Sequence, residues 1–443
     1  MTPPVPFPAR CVSHLALALL SLFFATAHIA SAQTTSRTRV RVPDDTPDPS
    51  LVAARAAVDH DNFTEAVQSY KEYLAKRPND ASAHFDLGNA YASLKQTADA
   101  TTEYEKAIAL DPKLDAAYVN LGITLMDSDL NAAIAAFQKA IELVPDHAKP
   151  RFLLGWAYER SDKLPQAIEE YRAAVKLDEK DSDAHFALGR ALLTTSQLAE
   201  AETEFRVAIA ANDANDQAYL GLSQTLMAQK KYDAAAAELA KYLETQPNDS
   251  GARVSRALAL TDMDKNDEAL AELDRAAAAG PETLSALKLR SQILFKMKRY
   301  DDAIPVLQKA AALAPEDPDI SARLGHLYLE KRSYSDAVRE LLVAFKLDPR
   351  SNDVLGEIVA AEYLGKNYEA ALKALDLLSQ REELPPGTVF IRATCYDRLG
   401  QAAPALDAYQ KFLQLNKDEN NDMYFSATAR VRFLTRELKE KKK

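Results

Sequence analysis

From Ala81 to Leu114 the chain reads ASAHFDLGNAYASLKQTADATTEYEKAIALDPKL. Its apolar positions fall on two helical stretches. One helix is predicted from Ala81 to Leu94, with Asp80 as its N-cap. A second is predicted from Ala98 to Leu110. It stops at Asp111, because the residue before Pro112 is driven out of the α region. Small residues stand at Gly88, Ala100 and Ala107, and bulky ones at Leu87, Tyr91, Tyr104 and Ile108. A small residue on each helix lets the backbones approach while aromatics fill the groove beside the contact. Neither helix can bury its apolar face on the other alone, so a further copy has to stack beside the pair.

The copies follow. Leu121, Gly122, Ala133, Phe137, Ala140 and Pro145 recur in the same order, then Leu154, Gly155, Tyr158, Ala167, Tyr171 and Ala174, then Leu188, Gly189, Ala201, Phe205 and Ala208. The period is 34 residues, with one 33-residue unit at 115–147. On these residues the chain resembles the tetratricopeptide repeat family, with about eleven units over roughly 47–419. The resemblance implies an all-α fold, a right-handed α-solenoid of tandem helix-turn-helix repeats. Two units carry Glu179 and Asp213 where others have the closing proline, so their second helices are expected to run longer. In the units at 250–283 and 284–317, Arg256-Ala257 and Arg290-Ser291 replace the leucine–glycine pair. A last amphipathic helix is predicted from Asp422 to Lys439. Phe425, Val431, Phe433, Leu434 and Leu438 form its apolar face, and Arg430, Arg432, Arg436 and Glu437 the other. A solenoid needs a polar-backed end, so residues 420–443 are expected to be a capping helix with a basic tail.

Before the repeats, residues 1–32 have the form of a secretory signal peptide. Arg10 is the positive end, Leu15 to Ile29 the apolar run, and Ala30-Ser31-Ala32 the cleavage site before Gln33. The other reading is an uncleaved inner-membrane anchor over residues 12–30. Residues 33–46, rich in Thr, Pro, Asp and Arg, read as a disordered linker. No other stretch is apolar enough to span a bilayer, so the mature chain is expected to carry no integral span.

Composition narrows the function. Net charge is −11, which argues against general nucleic-acid binding. Of the two cysteines, Cys11 falls in the leader and Cys395 in a helical pattern, where a small packing role is expected. None of the motifs HExxH, GxSxG, GxxxxGK[ST] or paired CxxC occurs. His84 and His185 share one repeat position, but no histidines pair at metal-ligand spacing. The repeats leave no room for a catalytic domain. The chain is therefore expected to be non-enzymatic and to need no cofactor or metal.

In the family, first helices line a concave face. The resemblance places Phe85, Phe152 and Phe186 on it, with Asn89, Ile123, Trp156 and Arg190 one turn further on and Met126 beyond them. A family clamp for a peptide carboxylate is matched at Asn89, Asn120 and Lys149. Phe85 and Leu153 stand where its other two basic residues belong, which removes most of its charge. The stripe is read either as inter-repeat core or as a groove for an apolar or extended polypeptide segment. The function expected is an exported protein–protein interaction scaffold in the periplasm or secreted. The alternative is a regulatory or substrate-recruiting subunit of an envelope enzyme complex.

Overall fold

The computed structural model describes residues 48–416, 418 and 422–440. The leader, the linker at 33–46 and the basic tail at 441–443 lie outside them. Among the described residues there are 23 helices and no strand. Helices α1 (Pro49–Asp59) to α12 (Tyr232–Thr245) form six hairpins in one compact unit that ends at Pro247. Helices α13 (Ser250–Asp262) to α22 (Ala402–Leu415) form five hairpins in a second unit, which begins at Asn248 and closes on α23 (Asp422–Glu440).

The two helices of a hairpin start by different chemistry. Eight of the eleven first helices carry a side-chain cap, from Asp48, Asp80, Asp181, Asn215, Asp249, Thr283, Asp317 and Ser351. Most second helices have none and follow a tight reversal. In the hairpin at 81–110, Lys95 N–H bonds Ala92 O and Gln96 N–H bonds Tyr91 O, both at 2.9 Å, with Lys95 at φ 59°. Asp61, Asp162, Ser196, Lys230, Asp264, Lys298, Arg332, Lys366 and Gly400 hold the same left-handed place. The 33-residue unit lacks such a residue, so its missing residue falls in this turn. Its first helix, Asp115–Leu125, ends early, and Asp129 N–H bonds Leu125 O instead.

Second helices end at the same point whether or not proline follows. Leu164–Leu177 and Leu198–Ala211, which precede Glu179 and Asp213, are 14 residues long, the same length as Thr97–Leu110. The longer helices expected there do not occur. The stop is made by Asp178 and Asn212, whose side chains accept from Lys180 N–H and Ala214 N–H at 3.1 Å. Asp111 accepts from Lys113 N–H in the same way. These short side chains turn the backbone without help from proline.

In the four hairpins from Ala81 to Ala211 a fully buried alanine (Ala100, Ala133, Ala167, Ala201) sits beside a buried ring on the second helix. A Cβ on Gly88 would lie 2.6 Å from the Tyr104 ring. Where the ring gives way to Leu273 and Leu307, the glycine position holds Ala257 and Ser291. The exchange is not general, because Gly325 persists opposite Leu341. Four hairpins add a polar brace. His84, Arg151, His185 and Arg253 each bond the glutamate nineteen residues on, at 2.5–3.1 Å, namely Glu103, Glu170, Glu204 and Glu272. The second ring nitrogen of His84 faces Pro78 O at 2.9 Å, and that of His185 faces Glu179 O at 3.2 Å. The repeated histidines are thus structural ties between helices.

The last helix docks on the hairpin before it through Ala427, Val431 and Leu434. Arg430 bonds Asp397 with both Nε (2.7 Å) and Nη2 (2.5 Å). Two residues assigned to its apolar face lie outside instead: Phe425 is 65% exposed and Phe433 55%. The inward stripe runs through buried Ala427 and Leu434 and half-buried Val431 and Leu438, spaced by three and four residues, and neither phenylalanine falls on it.

Candidate binding groove

In the first unit, neighbouring first helices approach one another, which puts them on the inner side of that stack. Phe85, Phe152 and Phe186 occupy one position of three such helices and are half-buried. The back of each ring rests on a second-helix ring: Phe85 on Tyr104 at 6.0 Å, Phe152 on Tyr171 at 5.8 Å, Phe186 on Phe205 at 6.0 Å. The tilts of 42–52° belong to the offset and edge-on arrangements that aromatic pairs favour. The rings are therefore braced from behind and open in front. The 33-residue unit interrupts the row, with Val119 buried at that place.

Polar rungs cross between helices beside the rings. Asn89 Oδ1 accepts from Tyr104 Oη at 2.8 Å and from Asn120 Nδ2 at 2.7 Å. Glu159 Oε2 accepts from Tyr171 Oη at 3.0 Å and from Arg190 Nη2 at 2.7 Å. Burial raises the pKa of both tyrosines, and for Tyr171 the Glu159 carboxylate adds to the rise. Both hydroxyls therefore stay protonated donors. Glu159 was not among the residues singled out from the sequence. Its signal was there, an acid 31 residues before an arginine, the interval that also separates Asn89 from Asn120.

The remaining candidates divide. Trp156 is half-buried, packs on the cores of two adjoining hairpins, and has the Arg160 guanidinium 5.9 Å from its ring centre. Ile123 is half-buried against one of those cores, and Lys149 is exposed. Met126 is not on the surface. It is 4% exposed and belongs to the core around Phe137 and Leu154. The shortened turn ends its helix at Leu125, and Met126 follows the chain inward. Leu153, at one clamp position, is also buried. Among the described residues no group of His, Cys, Asp or Glu could hold a metal ion. No described helix is long and apolar enough to cross a membrane. A shallow depression between Leu198 and Lys231 lies on the second-helix side, and its charged groups pair internally, Glu202 with Arg206 and Lys231.

Sequence profiles described as tetratricopeptide repeat match residues 51–115, 127–185, 152–216, 186–250 and 254–318, and two further ones match 294–356 and 389–418. Among solved structures, MamA is 27% identical, with 36% of this chain and 94% of MamA covered and a TM-score of 0.35. YrrB, described as a TPR protein with an unusual peptide-binding site, is 22% identical over 42% of this chain and 97% of its own, with a TM-score of 0.39. Pseudomonas aeruginosa PilF is 20% identical over 49% and 97%, with a TM-score of 0.40. No curated protein matches the sequence. Since the repeat profile alone spans more than half of the chain, and every hairpin it covers is formed, the chain belongs to the tetratricopeptide repeat family.

Proposed function

We propose that the chain is an exported, non-enzymatic scaffold that holds an extended or apolar polypeptide segment along the inner face of its first unit. Tetratricopeptide repeat proteins are protein-interaction scaffolds. The observation that carries the finer reading is the row of Phe85, Phe152 and Phe186, partly exposed and each fixed from behind by a second ring. Rings fixed before binding lose little freedom when a ligand covers them, and such aromatics dominate interface energetics. The Asn89–Asn120 rung beside them offers amide groups to a peptide backbone. Export rests on Arg10, the apolar run to Ile29 and Ala30-Ser31-Ala32, with Gln33 as the mature N-terminus.

Trp156 is the only tryptophan and lies within this row, so its emission is the probe. Partners would be captured from an envelope extract and the captured segment titrated against the pure chain. Phe152→Ala with Phe186→Ala should weaken binding at least tenfold at unchanged helix content. Unchanged affinity would place binding elsewhere. Recovery of one enzyme in stoichiometric amount would favour the regulatory or recruiting subunit instead. For export, intact-mass analysis of the native protein decides, and Met1 on a soluble cytosolic product would exclude it.

A further inference from the structure

The outward face of the last helix is unlike the rest of the surface. Phe425, Ala429 and Phe433 follow one another at four-residue steps along it, and both rings are largely exposed. Arg432, Arg436 and Lys439 are exposed along the same side. The Arg430 guanidinium, tied to Asp397, sits 4.7 Å from the Phe433 ring centre and holds that ring in place. From Asp422 to the end the sequence has seven basic and three acidic residues, a net +4, so everything before Asp422 carries −15. A concentrated basic and aromatic face thus stands on an otherwise acidic protein.

We propose that this face docks on an anionic membrane surface. The two rings are about 12 Å apart along the helix axis, at 1.5 Å per residue, and would enter the headgroup boundary together. The arginines and lysines beside them would meet lipid phosphates, and attraction of this kind needs no matched shape. A second copy of the chain is a poor occupant. In a two-fold contact the patch meets itself, and its excess positive charge would face the same excess. A rigid protein partner is disfavoured by size. Two rings and one methyl group on a single convex helix fall well short of the roughly 800 Å² per partner of a stable interface. The docking is independent of the groove, which lies in the other unit.

The test uses the full chain and flotation with vesicles of phosphatidylcholine alone or mixed with phosphatidylglycerol. The chain should bind the anionic vesicles at least tenfold more tightly, and less as salt rises. Arg432→Glu with Arg436→Glu should abolish that preference, and Phe425→Ser with Phe433→Ser should reduce binding at least fivefold. All four side chains are exposed, so helix content by circular dichroism should not change. The apolar run at 15–29 is the same in every variant, so binding driven by it would persist in all of them and overturn the proposal. Equal binding to both vesicle types would overturn it as well. So would a dimer in light scattering that the phenylalanine variant abolishes, or preferential capture by polyglutamate in place of vesicles.

Discussion

Glu272 lies almost wholly inside the second unit, with its side chain 3% exposed. Three guanidinium groups close on it: Arg253 at 2.9 Å, Arg256 at 2.7 Å and Arg275 at 2.6 Å. Arg256 stands where other units carry leucine, so this carboxylate is what lets a cation replace an apolar side chain there. Glu272→Ala would leave Arg253 and Arg256, both largely buried, facing one another. Breaking buried pairs of this kind costs about 3–5 kcal/mol, and a drop of that order in urea unfolding is expected for this variant. A loss under about 1 kcal/mol, the range of exposed pairs, would show that solvent already compensates the arginines. His326 gives a pH signature. Its Nδ1 contacts Glu357 Oε1 at 3.0 Å, and this bond raises its pKa from the ordinary 6.5 against the opposing effect of burial. A pKa raised by folding means stabilisation that is complete below the ordinary value and lost as pH climbs through the folded one. The stability difference between the native chain and His326→Gln should therefore be full below the ordinary 6.5 and shrink as pH climbs through the raised value. A difference that grows with pH would contradict the pairing.

At the scale of the element, the turn between helices is the sensitive point. Lys95 is exposed, yet its φ of 59° belongs to a region that β-branched residues scarcely enter. Lys95→Val is expected to lower stability by about 1–2 kcal/mol, while Lys95→Gly, which fits this backbone, should not lower it. Equal thermal midpoints for all three chains would refute this account of the turn. Turns also mark the limit of what the sequence made legible. Helix pairs, their period and the alanine and ring positions were readable, because each follows from spacing along one helix. The burial of Met126 was not, since it depends on which residue the 33-residue unit has lost, and that loss lies in a turn. Nor were the helix ends at Leu177 and Ala211, where an Asx turn does what proline does in other units. In the groove, the aromatic row was readable from its period, but the bracing rings and Glu159 were not. They join different helices, and no single-helix pattern reports them.

At the scale of the molecule, each hairpin of a stack is held by its neighbours, so stability is local and an end needs its own closure. In the second unit the helix from Asp422 packs on the hairpin before it. It supplies Ala427, Val431 and Leu434 to a core that contains Phe412, Tyr409 and Ala393, and it supplies Arg430 to Asp397. Tyr409 Oη also bonds Asp397, at 3.2 Å, the same arrangement as Tyr171, Glu159 and Arg190 between two repeats of the first unit. The helix from Asp422 thus docks as the first helix of another repeat would. Removing residues 422–443 should uncover Phe412 and Tyr409 and leave Asp397 without its guanidinium. Amide hydrogen exchange should then lose protection over 386–415 while 81–110 keeps its own, because that hairpin belongs to the other unit. Newly exposed rings should also make the truncated chain associate, visible in sedimentation. A truncated protein that stays monomeric, with protection unchanged over 386–415, would mean that the last hairpin stands without its cap.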